Sequence, residues 1–291
     1  MLKEDTRRAF RATLNVMNYP AHKYTASLAR IATLVVAILA PLVGHAQKPE
    51  SQRILECVMD NVPPALRVLD VVITTHDLHS DQQTSDRVAF DAHLQDKNGL
   101  LAVSAIVNAP DDLEGAAYLF RQTTAGSEVF YYSPELDRVR RIEGGSGAAG
   151  IFGSALSFSD FEDVERTLRS SSITLRGVKP DDPATIRRFV VLPSPAADAP
   201  FGRINMKVDT ERCFIVEADI MNAEGERIRH IRAPRDELQK MDDRFWYPRR
   251  IEVQNFETQR MTEAHIRDLR LPTSVPEQVF DPDAFYKGMG E

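Results

Sequence analysis

The chain has 291 residues, 43% hydrophobic and 27% charged, with 36 Lys and Arg against 43 Asp and Glu and a formal net charge of −7. This is soluble globular composition, outside the ranges of disordered, collagen-like and polytopic membrane chains. The acidic balance also argues against a nucleic-acid partner, because a phosphate backbone calls for basic surface.

The first feature in chain order is an export segment. Residues 31–43 (IATLVVAILAPLV) carry no charge, Lys23 and Arg30 precede them, and Gly44-His45-Ala46 follows as a small-x-small exit. A basic flank, a short apolar core and a small-residue exit are the parts of a secretory signal. The run is shorter than the roughly 20 apolar residues that a spanning helix needs. Residues 1–46 are therefore read as a cleaved signal peptide, with Met17 an alternative start that gives a leader of more usual length. Cleavage leaves 47–291 as one domain of 245 residues, net charge −11. A Gram-negative bacterium would deliver it to the periplasm, where disulfides persist. Both cysteines, Cys57 and Cys213, remain in that domain. Buried free thiols are the bland reading, but the compartment favours a single Cys57–Cys213 bridge, and the absence of C-x-x-C argues against a redox role.

Residues 50–61 place Ile54, Leu55, Val58 and Met59 on one helical face, with Ser51 as a candidate N-cap and Pro63-Pro64 as the stop. From there the period changes to two. In 87–95, Val88, Phe90, Ala92 and Leu94 alternate with Arg87, Asp91, His93 and Gln95, as in a half-buried strand. Further strand-like runs occupy 66–75, 100–108, 115–123, 128–133, 137–142, 172–179, 185–193, 201–209, 212–222, 226–234, 244–256 and 259–271. Turn residues such as Asn98-Gly99 and Asn222-Ala223-Glu224-Gly225 separate many of them, and 193–200 reads as a hairpin loop. No helices alternate with the strands, so βαβ units are not expected. The pattern predicts a mainly β fold: a meandering antiparallel sheet of about a dozen strands that curls around a few helices, one of them around 152–168.

No segment forms a convincing catalytic or metal centre. Gly145-Ser146-Gly147-Ala148-Ala149-Gly150 matches G-x-G-x-x-G, but Arg138-Val139-Arg140-Arg141-Ile142 before it is too charged for a central parallel strand, so a loop is the better reading. His76, His79 and Asp81 have zinc-ligand chemistry but sit in a turn-like stretch. Asp160, Glu162, Asp163 and Glu165 read as the wet face of a short helix, and Ser154 lacks a G-x-S-x-G elbow. The arginines of 137–142 and Arg249-Arg250 suit either anionic head groups or acidic neighbours. No cofactor, metal site or enzymatic activity is expected.

Several of these runs resemble the LolA-like outer-membrane lipoprotein-sorting family. The resemblance lies in Tyr118-Leu119-Phe120, Tyr131-Tyr132-Ser133-Pro134, Arg138 to Ile142, Phe152-Gly153-Ser154 and Phe158-Ser159-Asp160. Within them Tyr132, Pro134, Arg138, Arg141, Phe152, Gly153, Ser154 and Asp160 carry the family motif. Weaker matches are Trp246 to Ile251, Pro276 to Phe280, and the Cys57 helix followed by Asn61-Val62-Pro63, similar to members with a cysteine pair. Ala155 and Ser159 stand where the family has Asp and Glu, so the match speaks for fold more than mechanism. The resemblance implies a half-open barrel of about eleven antiparallel strands, closed by helices, whose apolar concave face holds acyl chains of lipids or lipoproteins crossing the periplasm. It also implies an association with RND-type (MMPL-like) inner-membrane exporters. Phe90, Phe120, Phe130, Tyr132, Phe189, Met206 and Trp246 are the candidate lining residues. The alternative is a non-lipid periplasmic adaptor of an envelope transport complex.

Overall fold

The computed structural model describes residues 49–63, 66–79, 85–142, 150–157, 172–177, 179–193 and 201–288. The signal segment, Asp160 and its acidic neighbours, the glycines of 145–149 and the 194–200 loop lie outside them. Residues from Lys48 onward form one compact unit.

One helix, α1 (Glu50–Asp60), precedes fifteen strands: β1 (Leu66–Asp77), β2 (Ser85–Lys97), β3 (Leu100–Ala109), β4 (Ala117–Thr123), β5 (Gly126–Ser133), β6 (Arg138–Ile142), β7 (Ser172–Arg176), β8 (Ile186–Leu192), β9 (Arg203–Asp209), β10 (Phe214–Met221), β11 (Arg227–Arg232), β12 (Leu238–Met241), β13 (Phe245–Pro248), β14 (Arg250–Asn255) and β15 (Arg260–Arg270). Thirteen of them form one antiparallel sheet in the order β6-β5-β4-β3-β2-β1-β15-β14-β11-β10-β9-β8-β7, and β12 pairs only with β13. Strands β1 to β6 and β7 to β11 each run in sequence order, β15 joins the two runs at β1, β14 joins β11 around the β12–β13 hairpin, and the consecutive strands β6 and β7 end up at opposite edges. β6 and β7 are the two edges and do not pair with each other, so the sheet stays open rather than closing into a barrel.

The registers sort side chains onto two faces, because successive residues of a strand point to opposite sides. The inner face is defined here as the one that carries α1. On the β1–β6 wing it presents Val71, Ile73, Phe90, Val107, Phe120 and Val129. On the β7–β10 wing it presents Ile173, Phe189, Val191, Ile204, Met206 and Ile220.

Two local expectations need correction, and a third falls largely outside the described residues. Helix α1 begins after Pro49 with no side-chain cap, so Ser51 is not its N-cap. Most of the helix expected around 152–168 (residues 158–168) lies outside the described residues; at its start Ile151–Gly153 form a single 3-10 turn, broken by Phe152 at φ 50°. The run 244–256 is not one strand. It divides at Arg249 into β13, which belongs to the hairpin, and β14, which belongs to the sheet.

Candidate functional site

Among the described residues, α1 lies on the inner face over one wing and the segment 150–157 over the other, and the β12–β13 hairpin packs Met241 and Tyr247 against the core that includes Ala264 and Ile266. Helix α1 turns Ile54, Leu55 and Val58 onto Phe189, Met206, Val208 and Ile215. An eleven-residue helix is marginal in water on its own, and its ends are fastened to the sheet. Glu50 pairs with Arg187 at 3.2 Å. Cys57 is joined to Cys213 by a disulfide with a Cα–Cα distance of 5.3 Å. Asn61 accepts from the Trp246 backbone N–H at 2.8 Å and donates to its carbonyl at 3.0 Å. The space left between helix and sheet is about 10 Å³, no more than one water would need.

Over the β1–β6 wing the cover is the segment 150–157. It closes on itself through the Gly150–Ser157 bridge and the Ile151 N–H to Leu156 carbonyl bond at 2.8 Å. Gly150 is needed there, because a Cβ would overlap the Ser154 carbonyl oxygen. The Phe152 ring lies 5.2 Å from Phe90 and 4.9 Å from Tyr118, which is in turn 4.9 Å from Tyr131. Ile151 packs with Phe120, Val129 and Ile142. Polar ties are few. The Ala155 N–H donates to the buried Thr262 hydroxyl at 2.8 Å, Thr262 meets Thr75 at 2.9 Å, and Arg260 donates to the Gly153 carbonyl at 2.6 Å. Burial, with the neighbouring Tyr131 adding to it, pushes the Tyr118 phenol above its ordinary pKa. Tyr118 is therefore neutral, in keeping with the apolar character of this face.

The seven candidate lining residues do not share one surface. Phe90 and Phe120 lie on the inner face beneath 150–157, and Phe189 and Met206 lie on it beneath α1. Phe130 and Tyr132 point the other way. There the C-terminal turns Glu277–Phe280 and Phe285–Lys287 cover them, with Tyr286 stacked on Tyr132 at 3.9 Å. Trp246 sits beside the disulfide, flanked by Arg212 at 5.1 Å and Lys240 at 6.0 Å. Tyr118, Tyr131 and Phe152 belong to the inner face and were not among the expected lining residues.

The motif residues divide in the same way. Tyr132 donates to Asp137 at 2.9 Å across the turn in which the Asp137 N–H meets the Pro134 carbonyl, and that hydrogen bond keeps the Tyr132 phenol protonated to higher pH than usual. Arg141 pairs with Glu128 at 3.1 Å on the outer face. Phe152, Gly153 and Ser154 build the inner cover, where Ser154 exchanges hydrogen bonds with the Leu156 backbone. Of the expected ligand trio His76, His79 and Asp81, the last lies outside the described residues; among the described residues no three His, Cys, Asp or Glu side chains converge.

Comparison with known proteins follows this geometry. A family model described as "uncharacterized protein" matches residues 102–287, well over half of the chain. The chain belongs to this family. None of the curated proteins matches it. Among solved structures, an outer membrane lipoprotein-sorting protein domain from Vibrio parahaemolyticus aligns with TM-score 0.65 and 16% identity, over 81% of this chain and 100% of that one. A DUF1329 family protein from Desulfovibrio piger aligns with TM-score 0.68 and 18% identity, over 80% of this chain and 98% of that one. A LolA superfamily protein from Nitrosomonas europaea aligns with TM-score 0.58 and 14% identity, over 80% and 98% respectively. The open antiparallel sheet is thus the LolA-like fold, and identities this low speak for the fold alone.

Proposed function

We propose that the mature chain is a periplasmic, non-enzymatic carrier that shields acyl chains of lipids or lipoproteins on its inner face. One observation supports this most. Among the described residues, a broad apolar sheet face carries over its β1–β6 wing the short segment 150–157, which contributes Ile151, Phe152 and Leu156 where a chain would lie, with Met241 and Tyr247 of the β12–β13 hairpin packed against the same core. Each exposed CH₂ of an acyl chain costs about 0.8 kcal/mol in water. A carrier needs a large apolar surface with a cover it can exchange for cargo, rather than a rigid pocket. The likeness to a lipoprotein-sorting domain agrees with this reading. Handover to or from an RND-type inner-membrane exporter belongs to the same reading, and in-cell crosslinking followed by identification of the captured membrane protein checks it.

The test is purification of the mature chain from a bacterial periplasm, extraction, and lipid mass spectrometry. Acyl lipid at a substantial molar fraction is expected. A lipid-free protein that also fails to take up a fluorescent fatty acid contradicts the proposal. A second reading, an adaptor that binds protein, draws on the nearly filled space beneath α1. It gains if the lipid test fails while an envelope protein co-purifies in fixed stoichiometry.

A further inference from the structure

We propose that Arg138 and Arg140 form a subsite for the phosphate head group of an acyl lipid whose chain lies on the inner face. This rests on the acyl-carrier reading and adds to it the class of cargo.

Strand β6 holds three arginines in five residues, and the structure treats them differently by face. Arg141 is opposite Phe130 on the outer face and is neutralised by Glu128, which also takes Arg121 at 2.7 Å. Arg138 and Arg140 are opposite Ser133 and Tyr131, on the inner face. Both are exposed, and neither meets a carboxylate among the described residues. Two arginines on the same inner face of the other wing do have carboxylate partners, Arg187 with Glu50 at 3.2 Å and Arg229 with Glu257 at 3.0 Å. Two unpaired cations on one face are therefore notable in a chain with excess acid.

Their position suits an amphiphile. Tyr131 joins Arg140 to the Tyr118–Phe152 aromatic group, and Ile142, on the same side of the same strand, packs in the cluster of Phe120, Val129 and Ile151. The strand thus runs from an apolar end at Ile142 to a cationic end at Arg138, along the open edge of the sheet. Residues two apart on a strand stand roughly 6.6–6.8 Å from each other. Two guanidinium groups at that spacing can both reach one phosphate, each offering a planar donor fork. Their alkyl stems can lie along the apolar surface while the charged ends stay in water.

The experiment uses two lipids that differ only in the phosphate, 1-oleoyl lysophosphatidic acid and 1-oleoylglycerol. Each competes with a fluorescent acyl probe on the mature protein, below its micelle concentration and at low salt. The phosphate lipid is expected to bind about tenfold tighter or more, the scale of one or two charge-assisted hydrogen bonds. The double variant R138Q/R140Q should bring the two lipids within about twofold of each other by lowering affinity for the phosphate lipid alone. R141Q, on the outer face, should keep the preference. Glycerol 3-phosphate should not compete. Equal affinities in the native protein, or a preference that survives R138Q/R140Q, overturn the proposal. Competition by glycerol 3-phosphate as strong as that of the lipid also overturns it, by making free phosphate the ligand. If both lipids fail to bind, the acyl reading fails and the subsite fails with it. Binding without discrimination removes only the subsite.

Discussion

The two wings of the sheet cover the same kind of inner face in opposite ways. On the β7–β10 wing the cover is a regular helix tied by an ion pair, a disulfide and a two-point Asn61 clamp, leaving almost no free space. On the β1–β6 wing the cover among the described residues is eight residues of mostly irregular backbone, held by Ile151, Phe152, Leu156 and a few hydrogen bonds. The outer faces differ as well. Behind β3–β6 it is apolar and capped by the C-terminal turns, whereas behind β8–β15 it carries a cross-strand row, Arg188, Lys207, Glu217, Arg232, Glu252 and Glu263, that suits direct contact with water. A covalently fastened helix is a poor gate. A loop that inserts a few apolar side chains is a good one, because exchange for an acyl chain replaces one apolar contact with another.

Substitutions can break or sharpen this contrast. The largest effect is expected at Phe285, which is fully buried in the outer cap of the β1–β6 wing. Phe285→Ala should cost about 3–5 kcal/mol in denaturant unfolding and leave acyl binding per folded molecule unchanged. Loss of binding without loss of stability would move the cargo site to the outer face. Next comes removal of the covalent tie. C57S/C213S should cost roughly 2–4 kcal/mol with little change in lipid affinity, since the helix is not expected to be the moving part. A large gain in affinity on reduction would make α1 the gate. Phe152→Ala should cost less, about 1–2 kcal/mol, because the side chain is only partly buried. It should raise affinity for oleoylglycerol severalfold by weakening the competing cover.

The smallest effect is a control on the charged wing. Two hydrogen bonds from Arg188, at 2.5 and 2.7 Å, hold the Asp182 carboxyl well below its ordinary 3.8, at about 2. A carboxyl depressed on folding adds stability above its unfolded pKa and loses it as pH falls toward the folded one. Asp182→Asn should therefore lower the thermal midpoint slightly at pH 5 and above, with the difference from the native protein vanishing near pH 2. Lipid affinity should not follow this titration.

Much of this arrangement is legible in the residues. The period-two runs locate most sheet strands, and Ile54, Leu55 and Val58 locate the helix and its buried face. The face of each aromatic is harder to read where a strand is covered on both sides. In Val129-Phe130-Tyr131-Tyr132 every residue is apolar or aromatic, so alternation gives no parity, and only the register shows that Val129 and Tyr131 point inward while Phe130 and Tyr132 point outward. Size alone favours Phe130 and Tyr132, which lie on the face opposite to α1. Counting parity outward from Phe120 would have brought in Tyr118. The cover 150–157 has no periodic signature at all. Its only local mark is Gly150, the last glycine of a run that resembles a phosphate loop, kept here for a close backbone approach. The β12–β13 hairpin was hidden because Pro248-Arg249 continues an extended pattern while the chain changes sheets.

The most direct measurement is photocrosslinking of a diazirine-bearing monoacyl lipid to the mature protein, followed by peptide mapping. A carrier whose cargo replaces the 150–157 cover should be labelled at Phe90, Tyr118, Tyr131 and Phe152. Labelling concentrated at Phe130, Tyr132 or Tyr286, or no labelling above an unrelated control protein, would contradict it.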